Sequence, residues 1–293
     1  MSQKNKILLQ LDVDPVPSSF DAIVALDNGV DRLLSYGAIA EEQVESLVHG
    51  AIFTRKSDDL NRTAVFIGGS NLEKCEQVLA RALASMFGPM RVSVMFDPSG
   101  ANTTAVAAIA AVERDGALNA SDIAVFGGSG SVGSRICRLL ALNGKTVHIV
   151  SRTRQKAEYT RDVLQSMVPA ARIVPIALTD PEQVAVVLAS VGGVFAAGAA
   201  GNQLISKQQL EAAQHLDFAV DLNAVPPAGI ESIALSATGT CVGNLRTYGP
   251  IGIGGLKMKI HARCIATLFE SNDHVLDLAE IYEIGRLILD TQT

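Results

Sequence analysis

The feature that most constrains this chain is a glycine pattern set between a strand and a helix. Ile123-Ala124-Val125-Phe126 is a short apolar run of β type. Gly128-Ser129-Gly130-Ser131-Val132-Gly133 follows at once, and residues 135–142 continue with helical periodicity. Glycines at this spacing do three things: the first permits a tight turn, the second lets backbone approach a pyrophosphate, and the third lets helix and strand pack closely. The first N–H groups of the helix and the positive end of its dipole then face the anion. Glycine-rich turns are common on their own, but here a second strand, 146–150, follows at the spacing of a βαβ unit. The pattern reads as a dinucleotide site, the bland alternative being a structural turn.

The rest of the chain alternates in the same way. Strands are predicted at residues 7–11, 32–36, 63–67 and 91–96. Helices are predicted at 20–26 (capped by Ser18 or Ser19), at 41–49, from the Gly68-Gly69-Ser70-Asn71 turn to about 87, and from Asn102 and Thr103 to about 114. After a connection at 115–119, strands are expected at 123–126, 146–150, 172–175, 193–196 and 218–221, with helices at 132–142, 153–167, 181–191 and 207–213. Two helices, 256–270 and 275–289, close the chain after the glycine-rich stretch 249–255. Such alternation predicts an α/β protein with mostly parallel sheets, and 293 residues suffice for two domains. Periodicity leaves open which domain the closing helices complete.

Composition narrows the class. Hydrophobic residues are 48% of the chain and aromatic ones 4%, with no Trp, which suits helices covering buried parallel strands. The uncharged stretch 183–206 is broken by four glycines and does not read as a bilayer span. The opening Met1-Ser2-Gln3-Lys4-Asn5-Lys6 carries no export signal, so a cytoplasmic location is expected. Cys75, Cys137, Cys241 and Cys264 are scattered singly, so neither zinc nor a disulfide framework is expected and each reads as a small buried residue; no metal site is predicted. A net charge of -6 without a basic cluster argues against nucleic acid.

The end of the second strand of the βαβ unit selects the cofactor. Sites for NAD carry an acid there to hold the ribose hydroxyls. This chain has Val150-Ser151-Arg152-Thr153-Arg154, where Arg152 can grip a 2′-phosphate and Ser151 can donate to it, so NADP is favoured. The bland reading is a pair of solvated arginines in a helix's first turn, where cations are mildly unfavourable. At the other end of the sheet, Ala197 and Gly198 leave room for a flat nicotinamide, and Asp221 and Asn223 follow the next strand, with Asn223 placed to bond a carboxamide. Ordinary strand–helix loops are the alternative there.

In Leu256-Lys257-Met258-Lys259-Ile260-His261, helical spacing puts Lys257, His261, Cys264 and Leu268 on one face, with Met258, Ala262, Ile265 and Phe269 on a neighbouring core face. Lys259, Arg263 and Thr267 point to solvent. Lys257 and His261 therefore stand where a buried face opens, a position suited to lining a cleft. A satisfied structural histidine is the alternative.

Several stretches then resemble one family. Phe87-Gly-Pro-Met-Arg-Val-Ser93, Ser99-Gly-Ala-Asn-Thr-Thr104, Asn223-Ala-Val-Pro-Pro-Ala-Gly229 and Gly252-Ile-Gly-Gly-Leu-Lys-Met-Lys-Ile-His261 are similar to the bacterial NADP-dependent methylene-tetrahydromethanopterin dehydrogenases, as are Ser19-Phe20-Asp21 and Leu268-Phe-Glu-Ser271. The resemblance covers nearly the whole chain. It implies a fold related to methylene-tetrahydrofolate dehydrogenases: an N-terminal α/β substrate domain, 1–115, completed by about 256–293, and a Rossmann-type parallel-sheet NADP domain, 116–255. It implies hydride transfer from a pterin one-carbon carrier to NADP. Lys257, His261 and Thr104 are the implied catalytic residues, and Phe20, Asp21, Asn102 and Thr103 the implied substrate contacts. Family members are homo-oligomers, typically trimers. Because the product carbon becomes positive, Lys257 is expected to orient a pterin oxygen or water, or to be desolvated to its neutral form. Main activity on methylene-tetrahydrofolate, or NADP binding without catalysis, are the rival readings.

Overall fold

The computed structural model describes residues 4–290; the first three residues of the stretch inspected for an export signal lie outside them. By their contacts the residues form two compact units. One runs to Thr103 and resumes at Met258, the other spans Thr104–Lys257.

In the first unit, β1 (Ile7–Asp12) leads to α1 (Ser19–Asp27), β2 (Arg32–Tyr36), α2 (Glu41–Phe53), β3 (Thr63–Gly68), α3 (Leu72–Ala84), β4 (Ser93–Phe96) and the start of α4 (Ala101–Arg114). Ser18 is the cap of α1, accepting from the Asp21 amide, and Asn71 caps α3 in the same way through Lys74. The helix over α3 ends at Ala84, short of the expected 87, because Phe87 and Met90 pair across a turn. All strand pairs are parallel. Leu9, Leu11, Val65, Ile67 and Val94 meet Val44, Val48, Ile52 and Val78 from α2 and α3 in one core. Each such side chain contributes about 1.5–3 kcal/mol by leaving water.

In the second unit, β5 (Asp122–Phe126), α5 (Ser131–Leu142), β6 (Thr146–Ser151), α6 (Arg154–Met167), β7 (Arg172–Ala177), α7 (Glu182–Ala189), β8 (Gly193–Ala196), α8 (Lys207–Ala212) and β9 (Phe218–Asp221) follow the expected alternation. Two strands were not expected, β10 (Thr238–Val242) and β11 (Leu245–Tyr248), joined as a hairpin through Gly243 at φ 63°. The sheet order is β10-β11-β9-β8-β5-β6-β7. Taken from β7 to β11, it is the 3-2-1-4-5-6 order of a dinucleotide-binding sheet, with β10 antiparallel at the edge.

The glycine-rich stretch is not a connection but the start of α9 (Pro250–Thr267). Pro250 is suited to a first helical position. A Cβ on Gly252 would stand 2.1 Å from the Ala237 carbonyl oxygen, so this turn carries glycine because backbone lies against it. The final predicted helix splits. Val275–Leu276 becomes β12, paired with β4, before α10 (Leu278–Asp290), and Asp277 with Glu280 makes the capping bond between them. The first sheet thus reads β12-β4-β3-β1-β2, and the C-terminal segment completes the first unit. No helix among the described residues is long and apolar enough to cross a membrane.

Candidate active site

The glycine loop sits at the carboxyl end of β5, against the end of β8. Gly127, which the sequence pattern passed over, makes the turn. It has φ 75°, and a Cβ on it would lie 2.7 Å from Ala197 O and Gly198 N. The doubled glycine directly after the strand was its available signal. Gly128 closes on Val125 O, and Gly133 faces Gly127 O at 2.2 Å for a built Cβ, which is the close helix–strand contact expected of the third glycine. Gly130 is the N-cap of α5, so helix geometry leaves the N–H groups of Ser131, Val132 and Gly133 without acceptors of their own in the helix.

Ser129 and Ser151 are joined through their hydroxyls at 2.8 Å, which ties this loop to the end of β6. Thr153 caps α6, so Arg152 lies ahead of the helix rather than in its first turn. Arg154 pairs with Glu158 at 2.8 Å, whereas Arg152 is exposed and makes no ion pair among the described residues. Loop, hydroxyls and guanidinium form a surface without an acid, which fits a phosphorylated dinucleotide.

Past β8 and β9, Ala197 and Gly198 are half-buried and narrow as expected, and the Leu204 side chain lies 2.8 Å from a Cβ built on Gly198. Asp221 and Asn223 face their own loop. The Asp221 carboxylate accepts from the amides of Asn223 and Ile230 at 2.9 and 3.0 Å. Burial raises its pKa, with those amides opposing. Asn223 donates to Pro227 O at 2.8 Å and accepts from Val225 N at 3.0 Å. Both side chains order this loop's backbone.

In the first unit, Asn102 and Thr103 are wholly buried. Their amides and the Thr103 hydroxyl donate to Asp97, while the Asn102 amide group donates to Phe96 O and to Asp277. They build the start of α4, with their polar groups engaged by the protein's own atoms; Thr104, next in line, is part-exposed. Lys257 is half-buried on α9 and His261 one turn on is 0% exposed, so the face closes sooner than its spacing implied. Met258 is exposed and Thr267 buried, the reverse of expectation. The His261 ring stacks on Phe66 (centroids 5.8 Å apart, 8° between planes), meets Phe20 at 6.0 Å, and has Nδ1 3.9 Å from Asp21 Oδ1. Phe20 itself is 44% exposed. Cys75, Cys137 and Cys264 are buried, but Cys241 on the edge strand β10 is exposed.

A six-strand parallel order with a glycine loop on a helix N-terminus, free of acid at the ribose end, defines an α/β oxidoreductase that works with a nicotinamide dinucleotide. Residues 19–99 match the family described as methylene-tetrahydromethanopterin dehydrogenase, N-terminal, and residues 123–238 the NAD-dependent epimerase/dehydratase family. The chain is 36% identical over 283 residues to the bifunctional protein MdtA of Methylorubrum extorquens, covering 96% of this chain and 98% of that one. It is 29% identical over 281 residues to an NAD(P)-dependent methylenetetrahydromethanopterin dehydrogenase of the same organism, covering 92% and 93%. The chain belongs to the methylene-tetrahydromethanopterin dehydrogenase family, and it is an oxidoreductase of one-carbon metabolism. Solved structures share the fold alone. A 5-ketofructose reductase of Gluconobacter superposes with TM-score 0.56 at 14% identity (98% of this chain, 100% of that one). A shikimate 5-dehydrogenase of Listeria monocytogenes does so with 0.53 at 15% identity (96% of each).

Proposed function

We propose that this chain oxidises methylene-tetrahydromethanopterin to methenyl-tetrahydromethanopterin with NADP as acceptor. The observation that carries the reading is the family's similarity along almost the entire chain, together with the acid-free Ser151-Arg152 end of the nucleotide loop. The second unit holds NADP through Gly128, Ser129, Gly130, the amides of Ser131, Val132 and Gly133, and Arg152, with Ala197 and Gly198 beside the nicotinamide. The first unit binds the pterin carrier, with Phe20 as an apolar platform.

Bound NADP supplies the hydride acceptor, nicotinamide C4. The methylene C–H bond breaks, and the adjoining ring nitrogens share the positive charge left on carbon, so no strong base is required. The protein's part is to orient the reactants and exclude water, worth several powers of ten when the carbons are held at near-attack distance. Lys257 and Thr104 act as hydrogen-bonding groups on the carrier. Lys257 serves best on an oxygen or a water, because an ammonium beside the product cation is unfavourable. The working form is a cytoplasmic homo-oligomer, a trimer or a multiple of it, which light scattering on the eluted protein checks.

The test is NADPH absorbance with methylene-tetrahydromethanopterin, repeated with NAD and with methylene-tetrahydrofolate. Turnover is expected to be highest for the first pairing. A higher kcat/KM on the folate reassigns the carrier, and silence with both carriers sinks the reading.

A further inference from the structure

His261 carries the resemblance to a catalytic residue, yet its side chain is closed off from solvent. What its ring touches is informative. On one side lies Phe66, 1% exposed on β3, a strand flanked on both sides by β1 and β4. Also against the ring lie two consecutive residues of the first turn of α1, Phe20 and Asp21. That helix has nine residues, a length that is marginal without tertiary support, and its first turn is where fraying begins. Phe20 is nevertheless the exposed aromatic ring there. Asp21, 7% exposed and near the N-terminus of α1, sits where the helix dipole favours a carboxylate. Its Oδ1 lies 3.9 Å from His261 Nδ1, beyond the range of a short hydrogen bond.

We infer that His261 is a positioning residue: its imidazole, seated on Phe66 and paired with Asp21, fixes the ring of Phe20 as the platform for a flat bicyclic ligand. The order of support runs from the rigid strand to Phe66, to His261, and to the turn that carries Phe20 and Asp21. Asp21 thereby acts on the ligand through His261 and Phe20 and not by its own contact. The inference rests on the reading of the first unit as the carrier site.

The test compares His261→Gln, Phe66→Leu, Phe20→Leu and the double variant His261→Gln/Phe20→Leu, with melting curves for each. His261→Gln is expected to raise the carrier's KM about three- to tenfold, the scale of one lost aromatic contact, with kcat and the KM for NADP within about twofold. Phe66→Leu should move the same constant in the same direction, which keeps the test alive if the glutamine variant does not fold. The double variant should be no worse than Phe20→Leu alone, because the two act in series. A hundredfold fall in kcat at unchanged KM, or additive losses in the double variant, overturns the inference. A readout without substrate separates it from the functional reading: chymotrypsin should cut after Phe20 several-fold faster in His261→Gln than in the unaltered protein. An unchanged cutting rate overturns the inference whatever the enzyme turns over, whereas an unaltered protein inactive on the carrier overturns only the functional reading.

Discussion

Replacing Gly133 by alanine tests the nucleotide loop directly. The added Cβ would lie 2.2 Å from Gly127 O, and 2.8 Å from Gly127 C and Gly128 Cα. All three are backbone atoms, so no rotamer change relieves the contact. Ordinary carbon contacts begin near 3.5 Å, so α5 must retreat from the loop by about 1 Å. The amides of Ser131, Val132 and Gly133 retreat with it, which takes a hydrogen bond of about 2.9 Å beyond useful range. One charge-assisted bond lost is about 1.5–3 kcal/mol, a weakening of NADP binding by about 10- to 150-fold. Titration calorimetry with NADP reads this, beside a melting curve. Gly144→Ala is the control: φ is 71° there with nothing within 4 Å of the built Cβ, so stability drops by about 1–2 kcal/mol while NADP binding holds. If Gly133→Ala does not fold, Gly130→Ala, with Gly127 O at 3.2 Å, gives a milder version of the same loss. A folded Gly133→Ala protein that binds NADP as tightly as before refutes the assignment of the loop.

Arg152→Ala should raise the KM for NADP about tenfold and leave that for NAD within about twofold, and Ser151→Asp should reverse the preference; equal effects on both cofactors would remove these residues from 2′-phosphate recognition. Tyr248 donates to Asp115 at 3.0 Å, and burial followed by that carboxylate raises the phenol above its ordinary value of 10.0. The folded protein therefore keeps a proton that the unfolded chain loses, so this contribution to stability is intact below about pH 10 and declines as pH rises past it. Tyr248→Phe should flatten the alkaline fall in melting temperature, and an equally steep fall in the variant would count against it. A maleimide should label Cys241 rapidly in the folded enzyme, and the three buried thiols only on unfolding; fast labelling of a second cysteine would contradict the burial pattern.

Much of this architecture was legible because periodicity and local chemistry agree. The alternation of apolar runs placed nine strands and their helices within a few residues, most readily for central parallel strands such as β3 and β8, which are buried throughout and read as unbroken apolar segments. The misses have particular causes. The β10–β11 hairpin is exposed along most of its first strand and lacks an apolar stripe, though its Gly243-Asn244 turn was a usable signal. Three glycines in the first two turns of α9 hid a helix whose backbone packs against backbone. At the candidate site, motif resemblance named turns but could not say which side chain faces outward. Asn102, Thr103 and Thr104 are consecutive, and only the partners of the first two, the nearby Asp97 and, for Asn102, Asp277 far along the chain, show that they face inward. Asp221 and Asn223 are the same case on a loop.

Both units carry a parallel sheet with loops at its carboxyl ends, so topology alone does not say which one takes a nucleotide. The loop chemistry favours the second unit. In the first unit the amides that could cradle a phosphate are already bound to the protein's own carboxylates: Asp12 accepts from Asp14 N and Ser18 N, Asp14 from Ser70 N, and Asp97 from Asn102 N and Thr103 N. A phosphate arriving at any of these amides would have to displace a hydrogen bond and approach the carboxylate that accepts it, a double penalty of lost hydrogen bonding and like-charge repulsion. In the second unit the loop between β5 and α5 contains no acid, and hydroxyl and glycine backbone stand in their place. The same strand–loop–helix plan therefore separates into two binding surfaces by one chemical choice, carboxylates that fill the amides in one unit and glycines that leave them available in the other.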